Sequence, residues 1–342
     1  MSQPAPCPFD NELGALLAAA PKEFTATLKD ETLPALAAAY SNPIDIQKDF
    51  IKERPLESTD YTIKGHQDGD ILISVIKRKD HSPKNAPPAF YYMHGGGMVM
   101  GHRMLGADFL IPYVEEFGGV LAVVEYRVAP KHPYPTPVED SYAGLKWLAS
   151  QSETFGFDPR RIMIVGTSAG AGVAAGLGLL VRDRRPDGLS VAWQLLASPM
   201  LDDRNISLSS RQYEHHGVWN ANSNQVGWRA YLGDRLAGPD VPIYAAPTRA
   251  LPSAGGAGLA GLPPTFIDVG SAEVFRDEVV DFANGIWAAG GVADLHVWAG
   301  GFHGFDLWGF PRLTREALAA RRNWVRRMLE WDQEAGKFSA EW

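Results

Sequence analysis

Arg161-Ile162-Met163-Ile164-Val165-Gly166-Thr167-Ser168-Ala169-Gly170-Ala171-Gly172 is the stretch from which the rest of the chain is read. Ile162 to Val165 is an apolar run too short for a helix and rich in β-branched side chains, which predicts a buried strand. Past Gly-x-Ser-x-Gly, a run of small residues leading to Leu177-Gly178-Leu179-Leu180 predicts a helix. A serine on such a strand-to-helix turn has little room around it. Gly166 and Gly170 let neighbouring backbone come close while the hydroxyl projects at the end of the sheet. Ser168 is therefore the candidate nucleophile. With glycine at 35 of 342 positions the pentapeptide alone carries little weight. Its setting supplies the weight: a strand before, a helix after, and a second glycine cluster upstream at His94-Gly95-Gly96-Gly97.

Working outward, short apolar runs alternate with helix-like segments. The runs are Ala89 to Met93, Gly119 to Val124, Ile162 to Val165, Val191 to Ala197, Thr265 to Gly270 and Asp294 to Ala299. The helical segments include 137–150, 169–183, 277–289 and 314–331. This order predicts an α/β fold with a mostly parallel central sheet covered by helices on both faces, and active groups at the carboxyl ends of the strands. Tyr61 to Ile63 and Ile71 to Ile76 flank Gln67-Asp68-Gly69-Asp70 and read as an antiparallel hairpin at one sheet edge. Residues 1–55 read as short amphipathic helices, broken by Pro21, Pro34 and Pro43 and lying outside the sheet as a cap. Residues 203–260 interrupt the alternation with Trp219, Trp228 and Tyr231 and read as further lid material, or as a surface excursion with its own small core. The resulting division is a cap segment 1–55, a first core part 56–202, a cap insertion 203–260 and a second core part 261–342.

Acyl transfer needs a nucleophile, a base, a carboxylate to orient the base, and donors for the oxyanion. Of nine histidines, His303 follows directly on the last strand run, within Gly300-Gly301-Phe302-His303-Gly304, in the order nucleophile, acid, base. His296 falls inside that strand run and reads as structural. His94 opens the glycine cluster and reads as an organiser of its loop. The acid comes from the segment Asp268 to Glu278, with Glu273 first, Asp277 second and Asp268 third. Asp277 and Glu278 are placed better to cap or pair at the next helix N-terminus. Gly95, Gly96 and Gly97, together with the N–H of Ala169, are the candidate oxyanion donors.

Composition narrows the classes. Hydrophobic residues make up 45% and charged residues 21% of the chain, ordinary for a folded globular protein. The net charge of -8 speaks against a nucleic-acid partner, the only basic blocks being Arg182 to Arg185 and Arg321 to Arg327. The single cysteine, Cys7, cannot form an intramolecular disulfide, and no apolar run reaches the length of a membrane span, so a cytosolic location is the expectation. No cysteine cluster, His-Glu-x-x-His pattern or nucleotide-binding glycine spacing occurs, so neither metal nor cofactor is expected.

From about residue 57 onward the chain resembles the hormone-sensitive-lipase family of α/β-hydrolases, the bacterial family IV esterases. Three blocks in order carry the resemblance: His94-Gly95-Gly96-Gly97; Glu125-Tyr126-Arg127-Val128-Ala129-Pro130 with His132-Pro133; and Gly166-Thr167-Ser168-Ala169-Gly170. Thr167 before the serine is similar to one subgroup of that family. The resemblance implies a helical cap and a triad of Ser168, an acid and His303. It also implies cofactor-free hydrolysis of short to medium acyl esters, often by a homodimer. Glu273 falls where the family usually has aspartate, Lys131 where it has glutamate, and Met98 where an aromatic is common. An acyltransferase or lactonase of a secondary metabolite, or a non-catalytic receptor on the same fold, are the alternative readings.

Overall fold

The computed structural model describes residues 4–40, 44–82, 87–185, 189–256 and 258–335. In chain order the N-terminal segment forms α1 (Asn11–Ala19), α2 (Leu33–Tyr40) and α3 (Ile46–Asp49). The hairpin β1 (Leu56–Lys64) and β2 (Asp70–Arg78) follows, then β3 (Ala89–Met93), α4 (Ile111–Phe117), β4 (Val120–Glu125), α5 (Thr136–Ser150) and α6 (Ser152–Phe155). Next come β5 (Ile162–Thr167), α7 (Ala169–Arg184) and β6 (Trp193–Ala197), then α8 (Leu208–Gln212) and α9 (Ala221–Leu232) between β6 and β7 (Thr265–Gly270). The chain closes with α10 (Arg276–Ala288), β8 (Ala293–Trp298) and α11 (Arg312–Ala335).

The strands make one eight-stranded sheet in the order β1-β2-β4-β3-β5-β6-β7-β8. β1 and β2 run antiparallel to each other and β2 antiparallel to β4; every other pairing is parallel. The hairpin pairs Lys64 with Asp70, and its connection is a tight turn in which Gln67 and Asp68 take positive φ (51° and 56°).

Alternation along the strands splits the apolar residues into two cores. Tyr91, Met93, Ala122, Val124, Ile162 and Ile164 face one side, where they pack with Leu145 and Leu148 of α5, most of α7, and Val279 and Phe282 of α10. Phe90, Tyr92, Leu121, Val123, Met163 and Val165 face the other, against Tyr113 and Val114 of α4 and Trp324, Val325 and Met328 of α11. A smaller cluster of Leu13, Phe302, Phe305 and Ala317 ties α1 to the segment after β8.

Two sequence expectations are corrected here. Pro34 does not break a helix; it is the second residue of α2, where a missing N–H costs nothing because first-turn amides lack intrahelical acceptors. Pro21 does follow the end of α1, and Pro43 lies outside the described residues. Of the three insertion aromatics, Trp228 and Tyr231 are buried in the main core and only Trp219 lines the cavity over Ser168. The basic blocks are paired: Arg182 with Asp183, Arg184 with Glu139, Arg322 and Arg326 with Glu116, and Arg327 with Asp294.

Candidate active site

β5 ends at Thr167 and α7 begins at Ala169, so Ser168 alone turns the corner, at φ 55° and ψ -123°. That left-handed backbone costs an L-residue on the order of 1–3 kcal/mol and persists only where its surroundings hold it. They hold it from both sides: Ser168 N donates to the Ala197 carbonyl (2.8 Å), and the Ser168 carbonyl accepts from Ala171 N (3.0 Å) and Met200 N (3.1 Å). The turn closes because a Cβ at Gly166 would lie 2.3 Å from the Gly170 carbonyl oxygen, and one at Gly170 would lie 2.2 Å from that of Met93. Below the serine, the Tyr92 phenol donates to the Leu105 carbonyl (2.6 Å), so the 2.7 Å contact with Thr167 is donated by the threonine hydroxyl.

Ser168 Oγ lies 2.9 Å from His303 Nε2, and His303 Nδ1 lies 2.7 Å from Glu273 Oε2. Glu273 is 1% exposed and its other oxygen accepts from Gly270 N at 3.2 Å. An ionised carboxylate only accepts, so the Nδ1 proton is donated to Glu273 and Nε2 is left to accept from the serine hydroxyl. Phe275 meets the imidazole edge-on with ring centroids 5.0 Å apart, a second restraint on its orientation.

The other acid candidates are engaged elsewhere. Asp277 accepts from Arg276 Nε and from Ser209 N, both at 2.7 Å. Asp268 takes two bonds from Arg321 (2.8 and 2.9 Å) and one from Trp298 Nε1. Burial pushes the Asp268 carboxyl up, opposed by the Arg321 charge. The occupied lone pairs of both oxygens hold it in the ionised form. Glu278, fully buried, accepts from Leu201 N (2.7 Å), and burial together with the charge of Asp202 holds its carboxyl well above the usual range.

The loop after β3 lies against the serine. A Cβ on Gly95 would fall 3.3 Å from Ser168 Cβ, and Gly96, at φ +116°, has no room for one because the Met100 carbonyl oxygen would be 2.0 Å away. Among the described residues no protein acceptor takes the amides of Gly96 and Gly97. The Ala169 amide is likewise free of an intrahelical acceptor, being the first of α7. The His94 ring lies fully buried under this loop, bonded through Nδ1 to the Gly95 carbonyl (2.7 Å) and stacked on Tyr126 at 4.2 Å. Tyr126 donates to the His94 carbonyl (2.6 Å) and Ala129 N to that of Met98 (2.9 Å), so the Glu125 to Pro130 block buttresses the glycine loop. His296, on β8, stacks between Phe266 and Trp298 and stays away from the site.

A cavity of about 690 Å³ opens over Ser168 and His303. Its floor is the glycine loop. Its walls include Leu16, Phe24, Leu28, Leu36 and Tyr40 from the N-terminal segment, Val218 and Trp219 from the insertion, and Leu307, Trp308 and Phe310 after His303. Trp308 and Phe310 were within reach of sequence reading, as aromatics just past the candidate base. Asp306, also on the wall and ion-paired to Arg321 (2.6 Å), was not, because its partner lies on a different element.

A family model described as the α/β-hydrolase fold matches residues 90–307, a span holding the glycine loop, the serine turn, Glu273 and His303. The chain belongs to this family. The match agrees with the hormone-sensitive-lipase resemblance of the three sequence blocks. Carboxylesterase NlhH of Mycobacterium tuberculosis is similar to this chain, 34% identical over 218 residues, which are 62% of this chain and 64% of that protein. Esterase LipI of the same species is 31% identical over 211 residues, 61% of this chain and 62% of that one. The chain thus matches slightly under two thirds of the length of these relatives. Among solved structures, a bacterial heroin esterase superposes with a TM-score of 0.82 at 32% identity, covering 94% of this chain and 98% of that one.

Proposed function

We propose that the protein is a serine carboxylesterase that hydrolyses short to medium acyl esters through an acyl-enzyme on Ser168. The observation that carries this reading is the relay from Ser168 Oγ through His303 to Glu273, with bonds of 2.9 and 2.7 Å, beneath an apolar cavity. As Oγ attacks the ester carbonyl carbon, His303 Nε2 takes its proton, and Glu273 stabilises the imidazolium that forms. The oxyanion is received by amides of the Gly95, Gly96 and Gly97 loop and by that of Ala169. Collapse of the tetrahedral intermediate breaks the C–O bond; the alcohol leaves with the proton from His303, and water repeats the sequence on the acyl group.

The test is hydrolysis of p-nitrophenyl esters from acetate to laurate by the wild type beside Ser168→Ala. We expect turnover highest on the shorter chains and lower by roughly 10⁶-fold in the variant. Equal turnover by the two proteins would remove Ser168 from its role. The proposal extends to a homodimer, supported by the open edge of β8, where Val297 is 42% exposed, and by the nearby Trp331, 51% exposed. Sedimentation velocity measures it. No helix among the described residues is long and apolar enough to cross a membrane; the cytosol is the proposed location, which cell fractionation checks.

A further inference from the structure

We infer that the site selects esters of positively charged alcohols, with Asp306 as the specificity-determining residue; this rests on the esterase reading. A buried charge network lies behind His303. Among the described residues Arg321, fully buried, is the one cation paired there, and it serves two carboxylates, Asp268 and Asp306. Asp268 has both oxygens on the guanidinium, whereas Asp306 is held by Oδ2 alone and lines the cavity. One guanidinium against two carboxylates leaves a net negative charge, and it sits on the cavity side. Glu273 adds a second carboxylate behind the His303 imidazole, and Glu23 a third at the rim. Among the described residues, no lysine or arginine lines the cavity.

The walls suit a cation as well. Phe24 and Trp308 meet edge to face at 5.6 Å, and the Trp219 ring closes over Gly97. An alkylammonium group gains from such aromatic faces and is not repelled by their apolar bodies. The position of Asp306 decides which half of the ester carries the charge. His303 gives its proton to the leaving alcohol, so the alcohol lies on the His303 side. Asp306 is three residues further along the same loop, in the short helical turn Phe305–Leu307. The substrate class is therefore the ester of an amino alcohol, quaternary or protonated at working pH. An alcohol bearing a carboxylate is rejected by the same field.

The experiment compares kcat/KM for acetylcholine, its uncharged isostere 3,3-dimethylbutyl acetate, and the anionic 3-acetoxypropanoate, at low and high salt. For the wild type we expect the cationic ester to be preferred over its isostere by at least about tenfold, less at high salt, with the anionic ester slowest. In Asp306→Asn the cation-to-isostere ratio should fall toward one, a comparison made within one variant whatever its absolute rate. Should that variant not fold, inhibition of p-nitrophenyl acetate hydrolysis in the wild type replaces it, choline being expected to compete about tenfold more tightly than 3,3-dimethylbutanol. A wild-type ratio at or below one, with the isostere hydrolysed in a Ser168-dependent manner, overturns the inference and leaves the esterase standing. A high ratio unchanged in Asp306→Asn overturns the role of Asp306. Failure to hydrolyse any of these esters, p-nitrophenyl acetate included, overturns the esterase reading itself.

Discussion

Glu273 in place of the more usual aspartate shows how a single methylene is accommodated. The longer side chain reaches His303 at 2.7 Å because its other oxygen is anchored on Gly270 N, at the end of β7. The loop thus folds the glutamate back rather than pushing the imidazole away. Asp277 points at Arg276 and Ser209, so it contributes to the start of α10 and not to the relay. We therefore expect Glu273→Ala to lower kcat by roughly 10⁴-fold with little change in KM, because it acts on the imidazolium that exists only during reaction. Asp277→Ala should leave kcat within about tenfold and cost stability instead, through the lost bond to the Ser209 amide. Parallel steady-state kinetics decides, and the reverse ranking would sink the assignment.

At the scale of elements, the glycine loop is held by the block Glu125 to Pro130 rather than by contacts of its own. His94 is the hinge of that arrangement, and burial pulls its imidazole below the ordinary histidine range, with the Glu125 carboxylate pulling the other way and His102 adding to the depression. A histidine whose folded pKa is depressed is neutral in both states at high pH. As pH falls through its unfolded value, near about 6.5, the unfolded chain takes up a proton that the folded one refuses. Stability should therefore decline on the acid side, His94 contributing at most about 1.4 kcal/mol per pH unit. His94→Gln keeps an amide donor for the Gly95 carbonyl and removes the titration. Urea unfolding between about pH 7 and pH 5 should then show a shallower decline in the variant than in the wild type. Identical slopes would mean that His94 takes up its proton as readily in the fold as in the unfolded chain.

Across the whole molecule, Arg321 links three parts of the chain that are distant in sequence: α11 through its own backbone, β7 through Asp268, and the His303 loop through Asp306. It shares one face of α11 with Trp324, Val325 and Met328, so a cation enters an otherwise apolar interface. Such a network adds little net stability when complete and costs much when one partner is removed, because the remaining charges stay buried. Arg321→Met should lower unfolding free energy by about 3–5 kcal/mol at neutral pH. A loss below about 1 kcal/mol by chemical denaturation would show that the two carboxylates are rehydrated in the variant and that the network is not closed to water.

By itself the sequence determined the alternation of strands and helices, the serine turn, the glycine loop and the chain order of the candidate serine, carboxylates and histidine. All of these are local: an apolar run of strand length, glycines where a backbone comes close, a histidine on the loop after a strand. The strands from β3 to β8 lie within a residue or two of the runs that predicted them; β3 to β7 are buried almost throughout and so are mostly apolar, while β8, at the sheet edge, is only half-buried and carries Asp294 and His296. What only the tertiary structure decided are relations across the sheet and between its layers. The three candidate carboxylates could be ranked but not separated, because their partners, Arg321 on α11 and Ser209 on α8, come from other elements. Trp228 and Tyr231 resemble Trp219 in a linear reading, and only packing turns two of them into the core and one into the cavity. The uncompensated carboxylate at the cavity wall is of the same kind. A charge balance is a sum over neighbours in space, and Asp268, Asp306 and Arg321 become neighbours only when the chain is folded.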